Sequence, residues 1–232
     1  MLSLEIPAED ATALGAAIAA YMHGDYEEAF ASFSRLAGEG DADAKTWLAA
    51  MYANGEGVEA SLTRAFALYL DGAEAGILLA QTNVGAMLAM GQGTPRDVGA
   101  GIRWLERAAE RGDMFAQYNL ATVLSKGDGA PADHAAAARW YRAAAETGHY
   151  PAQARLGFMY ANGLGVEKDR VEAFTWLSLA AQHGVGAALT ALEAVVAQMS
   201  ADEKQAGNQS VGRWRNQTAE ASRHARLNPL PG

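Results

Sequence analysis

Glycine returns at a fixed interval of 36 residues in three separate ladders. The first is Gly55, Gly91, Gly127 and Gly163. The second is Gly57, Gly93, Gly129 and Gly165, and the third is Gly76, Gly112, Gly148 and Gly184. Around the first two, Met51-Tyr-Ala-Asn-Gly-Glu-Gly-Val58 recurs as Met159-Tyr-Ala-Asn-Gly-Leu-Gly-Val166. No insertion breaks the spacing. A period of this size implies units that cannot bury their apolar faces alone and must stack on neighbours, so the expected fold class is an all-α, α/α superhelical solenoid of helix–turn–helix repeats.

Within each period the apolar residues recur at helical spacing. Ala44, Leu48 and Tyr52 form one stripe of a first helix, as do Ala80, Val84 and Leu88, Ala116, Leu120 and Leu124, and Ala152, Leu156 and Tyr160. Gly55 and its equivalents stand just past that helix, where a left-handed residue is often required. Ser61, Asp97, Asp133 and Asp169 are suited to cap a second helix, and Asp169 with Glu172 has the spacing of a capping box. The second helices carry small residues at Ala65, Gly101, Ala137 and Ala173, and large fillers at Leu68, Trp104, Trp140 and Trp176, read as core.

In order, residues 1–9 read as a lead-in. Residues 10–40 form a shorter helix pair, its first helix capped by Asp10 or Thr12. Four full repeats follow at 41–76, 77–112, 113–148 and 149–184. Residues 185–216 read as capping helices, with Ser200-Ala-Asp-Glu203 starting the last one. Residues 217–232, with Pro229 and Pro231, are expected to be a poorly ordered tail.

The repeats resemble the Sel-one-like repeat family, which is related to the tetratricopeptide repeats. In the fourth unit the resemblance rests on Ala152, Leu156-Gly157, Tyr160, Gly163-Leu-Gly165-Val166, Asp169, Ala173, Trp176 and Ala180-Ala181. The resemblance implies a protein-binding adaptor, typical of bacterial signalling, secretion, envelope assembly or host interaction. It also implies that the first helices line the concave side.

The net charge of −9 is carried by residues 1–60, which hold eleven acids against Arg35 and Lys45; the rest sums to zero. An acidic first quarter argues against a nucleic-acid partner. No apolar run is long enough to insert in a membrane. Glu5, Glu9 and Asp10 precede the apolar run Ala11–Ala20, where a signal peptide would carry bases. The expected compartment is cytoplasmic, or periplasmic if a leader was removed upstream. The chain has no cysteine.

No catalytic constellation is apparent. The Gly-x-Gly loops lack the strand and the Gly-Lys-Ser/Thr of a phosphate-binding loop. His23, His134, His149, His183 and His224 show no metal-ligand spacing. The expectation is no enzyme, no cofactor and no metal. Some cysteine-rich relatives are linked to β-lactam hydrolysis or cell-wall-precursor binding, but their cysteines and a Ser-x-x-Lys signature are missing here.

One surface stands out. On the first helices, away from the core stripe, lie Asp43, Leu79, Phe115 and Pro151; Thr46, Thr82, Tyr118 and Ala154; Ala50, Ala86, Thr122 and Phe158; and Ala53, Ala89, Ser125 and Ala161. Only Asp43 is charged. Two readings stand: a binding groove for a protein or peptide through Thr46, Thr82, Phe115, Tyr118, Thr122 and Phe158, or packing of the aromatic residues between adjacent units. The expected function is a monomeric, non-enzymatic interaction scaffold. The alternative is head-to-tail self-assembly of the acidic first 60 residues with the basic stretch 204–226.

Overall fold

A computed structural model describes residues 13–127 and 131–225. Asp10 and Thr12, expected to cap the first helix, lie outside the described residues, as does Gly129. Among the described residues there are twelve helices and no strand. The chain divides into two compact units, residues 1–97 and 98–232.

The first unit holds α1 (Ala13–His23), α2 (Tyr26–Gly38), α3 (Ala42–Asn54), α4 (Leu62–Glu74) and α5 (Leu78–Met90). Each helix packs on the next in sequence. Its core joins Ala17, Tyr21, Ala29, Phe33, Leu36, Ala44, Leu48 and Met51. Trp47 lies outside the second-helix tryptophan column, and it stacks flat on Phe33 with the rings 5.8 Å apart.

The second unit holds α6 (Val98–Glu110), α7 (Met114–Lys126), α8 (His134–Glu146), α9 (Tyr150–Asn162), α10 (Arg170–Gln182), α11 (Gly186–Val196) and α12 (Ala201–Ala225). Here α9 is packed by α8, α10 and α11, and α12 lies on α10. Helix α12 extends to Ala225, through residues 217–225 of the expected tail. Its start is a reciprocal cap: the Glu203 amide donates to Ser200 Oγ, and the Ser200 amide donates to Glu203 Oε2 at 2.7 Å. That amide, and then Arg170 across on α10, holds the Glu203 carboxyl below the usual carboxylate range. Trp214 packs on Trp176 at 4.8 Å, which covers the last apolar face.

The glycine ladders have two distinct physical causes. Gly163 caps α9 with φ +70° and donates to the Met159 carbonyl. A side chain there would meet Lys168 and the Val166 carbonyl only at ordinary contact distance, so backbone conformation alone selects glycine. Gly165 also has a positive φ, and a Cβ there would run into the backbone carbonyl of His134, at the start of α8. Gly57 is pressed in the same way on the Tyr26 carbonyl, and Gly93 on that of Leu62. In these three pairs the second glycine therefore lets the loop of one repeat touch the second helix of the repeat before it.

Two sequence expectations need correction. Of the tryptophan column only Trp176 is fully buried; Trp140 and Trp104 are half-buried, and Arg107 lies over the Trp104 ring. The fully covered column is the next one, Tyr69, Leu105, Tyr141 and Leu177. Trp176 is fully covered where Trp214 of α12 packs on it, whereas the Trp104 ring faces the exposed Arg107. The Asp169 capping box forms only half. Asp169 accepts from the Val171 and Glu172 amides, but the Glu172 carboxylate accepts from Trp176 Nε1 and faces Arg142.

Candidate functional site

Helices α7 and α9 each carry apolar residues around most of their circumference because they are packed on more than one side. Helix α7 lies between α6 and α8, and α9 is enclosed by three helices. This burial accounts for much of the low charge on the first-helix columns. Thr46 and Thr82, expected on a partner-facing surface, are buried, and their hydroxyls donate to the Ala42 and Leu78 carbonyls of their own helices. Thr46 abuts Gly72 of α4, where no Cβ would fit. Neither threonine presents a surface to a partner.

Thr122 is half-buried and committed internally: its Oγ1 lies 2.9 Å from the Tyr118 carbonyl and 3.0 Å from the Tyr141 hydroxyl. Burial raises the pKa of Tyr141. Phe115 meets the His149 ring edge-on at 5.4 Å, and Tyr118 lies over it at 4.6 Å. Both aromatics are half-buried, and this face of theirs serves packing between adjacent repeats. Phe158 differs, being 48% exposed.

The other face of Tyr118 opens on a groove. The groove has a volume of about 270 Å³ and is bounded by Tyr118 of α7, Pro151, Ala154, Arg155 and Phe158 of α9, Leu177 of α10, Val185 just before α11, and Ala187, Ala188 and Ala191 of α11. Tyr118 and Phe158 are thus brought together, along with Pro151 and Ala154 of the same low-charge columns. Thr122 and Phe115 are not among its lining residues. Arg155 is the one charged residue lining it.

His149 lies behind Tyr118 and was missed as a structural element by the sequence reading. Its Nδ1 accepts from the Ala152 amide at 3.2 Å, so it caps α9. Asp41 and Asp113 occupy the equivalent positions and cap α3 and α7. Burial lowers the His149 pKa to about 4, which keeps the ring neutral and able to accept. The aspartates one and three periods earlier were the available signal.

A second missed set is glutamine. Gln81, Gln117 and Gln153 follow the small-residue column, and each donates its amide to the penultimate carbonyl of the preceding second helix, at Ala73, Ala109 and Ala145. Their 36-residue recurrence was visible in the sequence. These buried amides stitch α5, α7 and α9 to the helix before each of them.

Among the described residues no cluster of three or more histidines, cysteines or carboxylates is placed to hold a metal. No helix there is long and apolar enough to cross a membrane.

No curated protein matches the chain. Solved structures do. The antigen c5321, a protective antigen present in uropathogenic Escherichia coli strains and displaying an SLR fold, superposes with a TM-score of 0.78 at 30% identity. The match covers 88% of this chain and 44% of that one. A Sel1 repeat protein from Oxalobacter formigenes gives 0.64 at 36% identity, over 73% of this chain and 49% of that one. The chain therefore spans less than half the length of these two relatives. The immunity protein Pa5087 from Pseudomonas aeruginosa is similar in fold, with a TM-score of 0.51 at 18% identity over 93% and 89% of the two chains. These neighbours share the all-α tandem-repeat solenoid architecture, and Sel1 repeat proteins generally act as non-catalytic mediators of protein–protein interaction. The Sel1 repeat model matches four times, at residues 42–77, 78–113, 115–149 and 151–185, in step with the glycine ladders. The chain belongs to the Sel1 repeat family.

Proposed function

We propose that this protein is a non-enzymatic scaffold that holds a segment of a partner protein in the groove between α7, α9 and α11. The observation that carries the reading is the pairing of an open apolar groove with Phe158, a large side chain left 48% exposed at its edge. Solvent contact of this apolar surface is unfavourable, and a partner's side chain removes it from water. Small residues at Ala154, Ala187, Ala188 and Ala191 leave room for such a side chain.

The test is site-specific crosslinking in the native cell. A photoreactive phenylalanine analogue at position 158 is expected to trap a discrete partner, and the same analogue at exposed Arg103 on α6 is not. Equal, unselective labelling from both positions would count against the groove as the site.

A further inference from the structure

Resting on the groove reading, we infer that the segment held there is an acidic–apolar one, a bulky aliphatic or aromatic side chain next to a carboxylate that pairs with Arg155. The argument starts from charge. Arg155 lines the groove among apolar residues and forms no ion pair with any described carboxylate. Its own helix cannot supply one, because residues 150–162 contain no acid. Helix α7, across the groove, contains none either. On α11 the only acid is Glu193, which does not line the groove. Arg155 is exposed, as are Arg103, Arg139, Arg213 and Arg215, but of these it alone lines the groove. The half-buried Arg142 and Arg170 of this unit are engaged. Arg142 reaches the Tyr160 hydroxyl and lies near Glu146 and Glu172, and Arg170 pairs with Glu203 at 3.0 Å. Arg155 is the guanidinium that the groove itself presents to a carboxylate from outside.

Geometry places the two halves of the ligand side by side. Arg155 sits one residue from Ala154 and three from Phe158, so its head and the phenyl ring border the same apolar floor. The floor takes an uncharged side chain of the ligand. The planar guanidinium takes the adjacent carboxylate with two parallel N–H donors. A docked ligand also covers Arg155 from solvent, which strengthens the pair over an exposed one.

The experiment uses the full chain and an array of end-blocked seven-residue peptides, each with one Leu, Phe or Trp beside one Glu, matched to Gln counterparts. End-blocking removes terminal carboxylates as a source of charge. On the wild type, Glu peptides are expected to bind about fivefold more tightly than their Gln partners, the range of a partly exposed ion pair. The difference should shrink as salt rises. Arg155→Gln should abolish the Glu preference while keeping the binding of the Gln peptides. Phe158→Ala should weaken both peptides of each pair alike. A wild type that binds Glu and Gln peptides equally, or a preference that survives Arg155→Gln, overturns this inference and leaves the groove reading standing. Peptide binding untouched by Phe158→Ala, or no binding by any peptide, overturns the groove reading together with it.

Discussion

The ring of Tyr118 lies 4.6 Å from the imidazole of His149, so the residue that forms one wall of the groove also covers the cap of α9. Because burial is what lowers the His149 pKa to about 4, stability is linked to pH. The unfolded histidine titrates near its ordinary value of about 6.5. This contribution is therefore complete above that pH and is lost as pH falls toward 4. Between pH 7 and pH 5 the loss should be about 2 kcal/mol. Urea unfolding at the two pH values measures it. His149→Asp keeps a capping oxygen, as Asp113 does, and should remove most of this slope.

The two glycines of one loop should respond differently to the same substitution. Gly163→Ala places a methyl in open contact with Lys168 and should cost about 1 kcal/mol for the left-handed backbone. Gly165→Ala adds a collision with the His134 backbone and should cost at least about twice that. Thermal melts of the two variants rank them; equal melting temperatures would show that the loop moves off α8 freely.

Phe158→Ala should change stability by less than about 0.5 kcal/mol, since the side chain is half in solvent. Phe115→Ala should cost clearly more, because it uncovers the His149 ring. A triple alanine variant of Phe115, Tyr118 and Phe158 therefore mixes a binding defect with a folding one. Denaturation of the single variants separates them.

Trp214→Ala should uncover Trp176 and loosen α12, at a cost of at least about 1 kcal/mol. Red-shifted tryptophan emission and faster amide exchange along α12 are the expected signatures. Unchanged exchange would mean that the Arg170–Glu203 pair and the close approach of Gly207 to Phe174 hold the helix alone.

Repeat boundaries and helix ends were legible because glycine and capping residues act locally. Gly55, Gly163, Ser61 and Asp133 announce their roles without knowledge of the fold. The site was legible only in part. Tyr118 and Phe158 share the groove, but Thr46 and Thr82 have the helical phase of Tyr118 and are buried. Helical phase tells which residues share a face, not how many neighbours cover it. Arg155 was passed over because it stands one residue beyond a low-charge column, and its value depends on which acids are absent nearby in space. His149 was set aside as a metal ligand, and its cap role needed the comparison with Asp41 and Asp113.

The touch of Gly57, Gly93 and Gly165 on a carbonyl 31 residues earlier is made between main chains. It depends on the main-chain path rather than on a particular side chain, so this one join does not dictate which repeat follows which. Removing one whole period, residues 113–148, would bring a fresh carbonyl, that of Val98, under Gly165, and only the side-chain contacts of the new seam, such as those on His149, would need refitting. Such a chain can grow or shrink by whole repeats while each join is preserved, and its reach becomes a quantity that duplication and deletion can set in steps of one repeat.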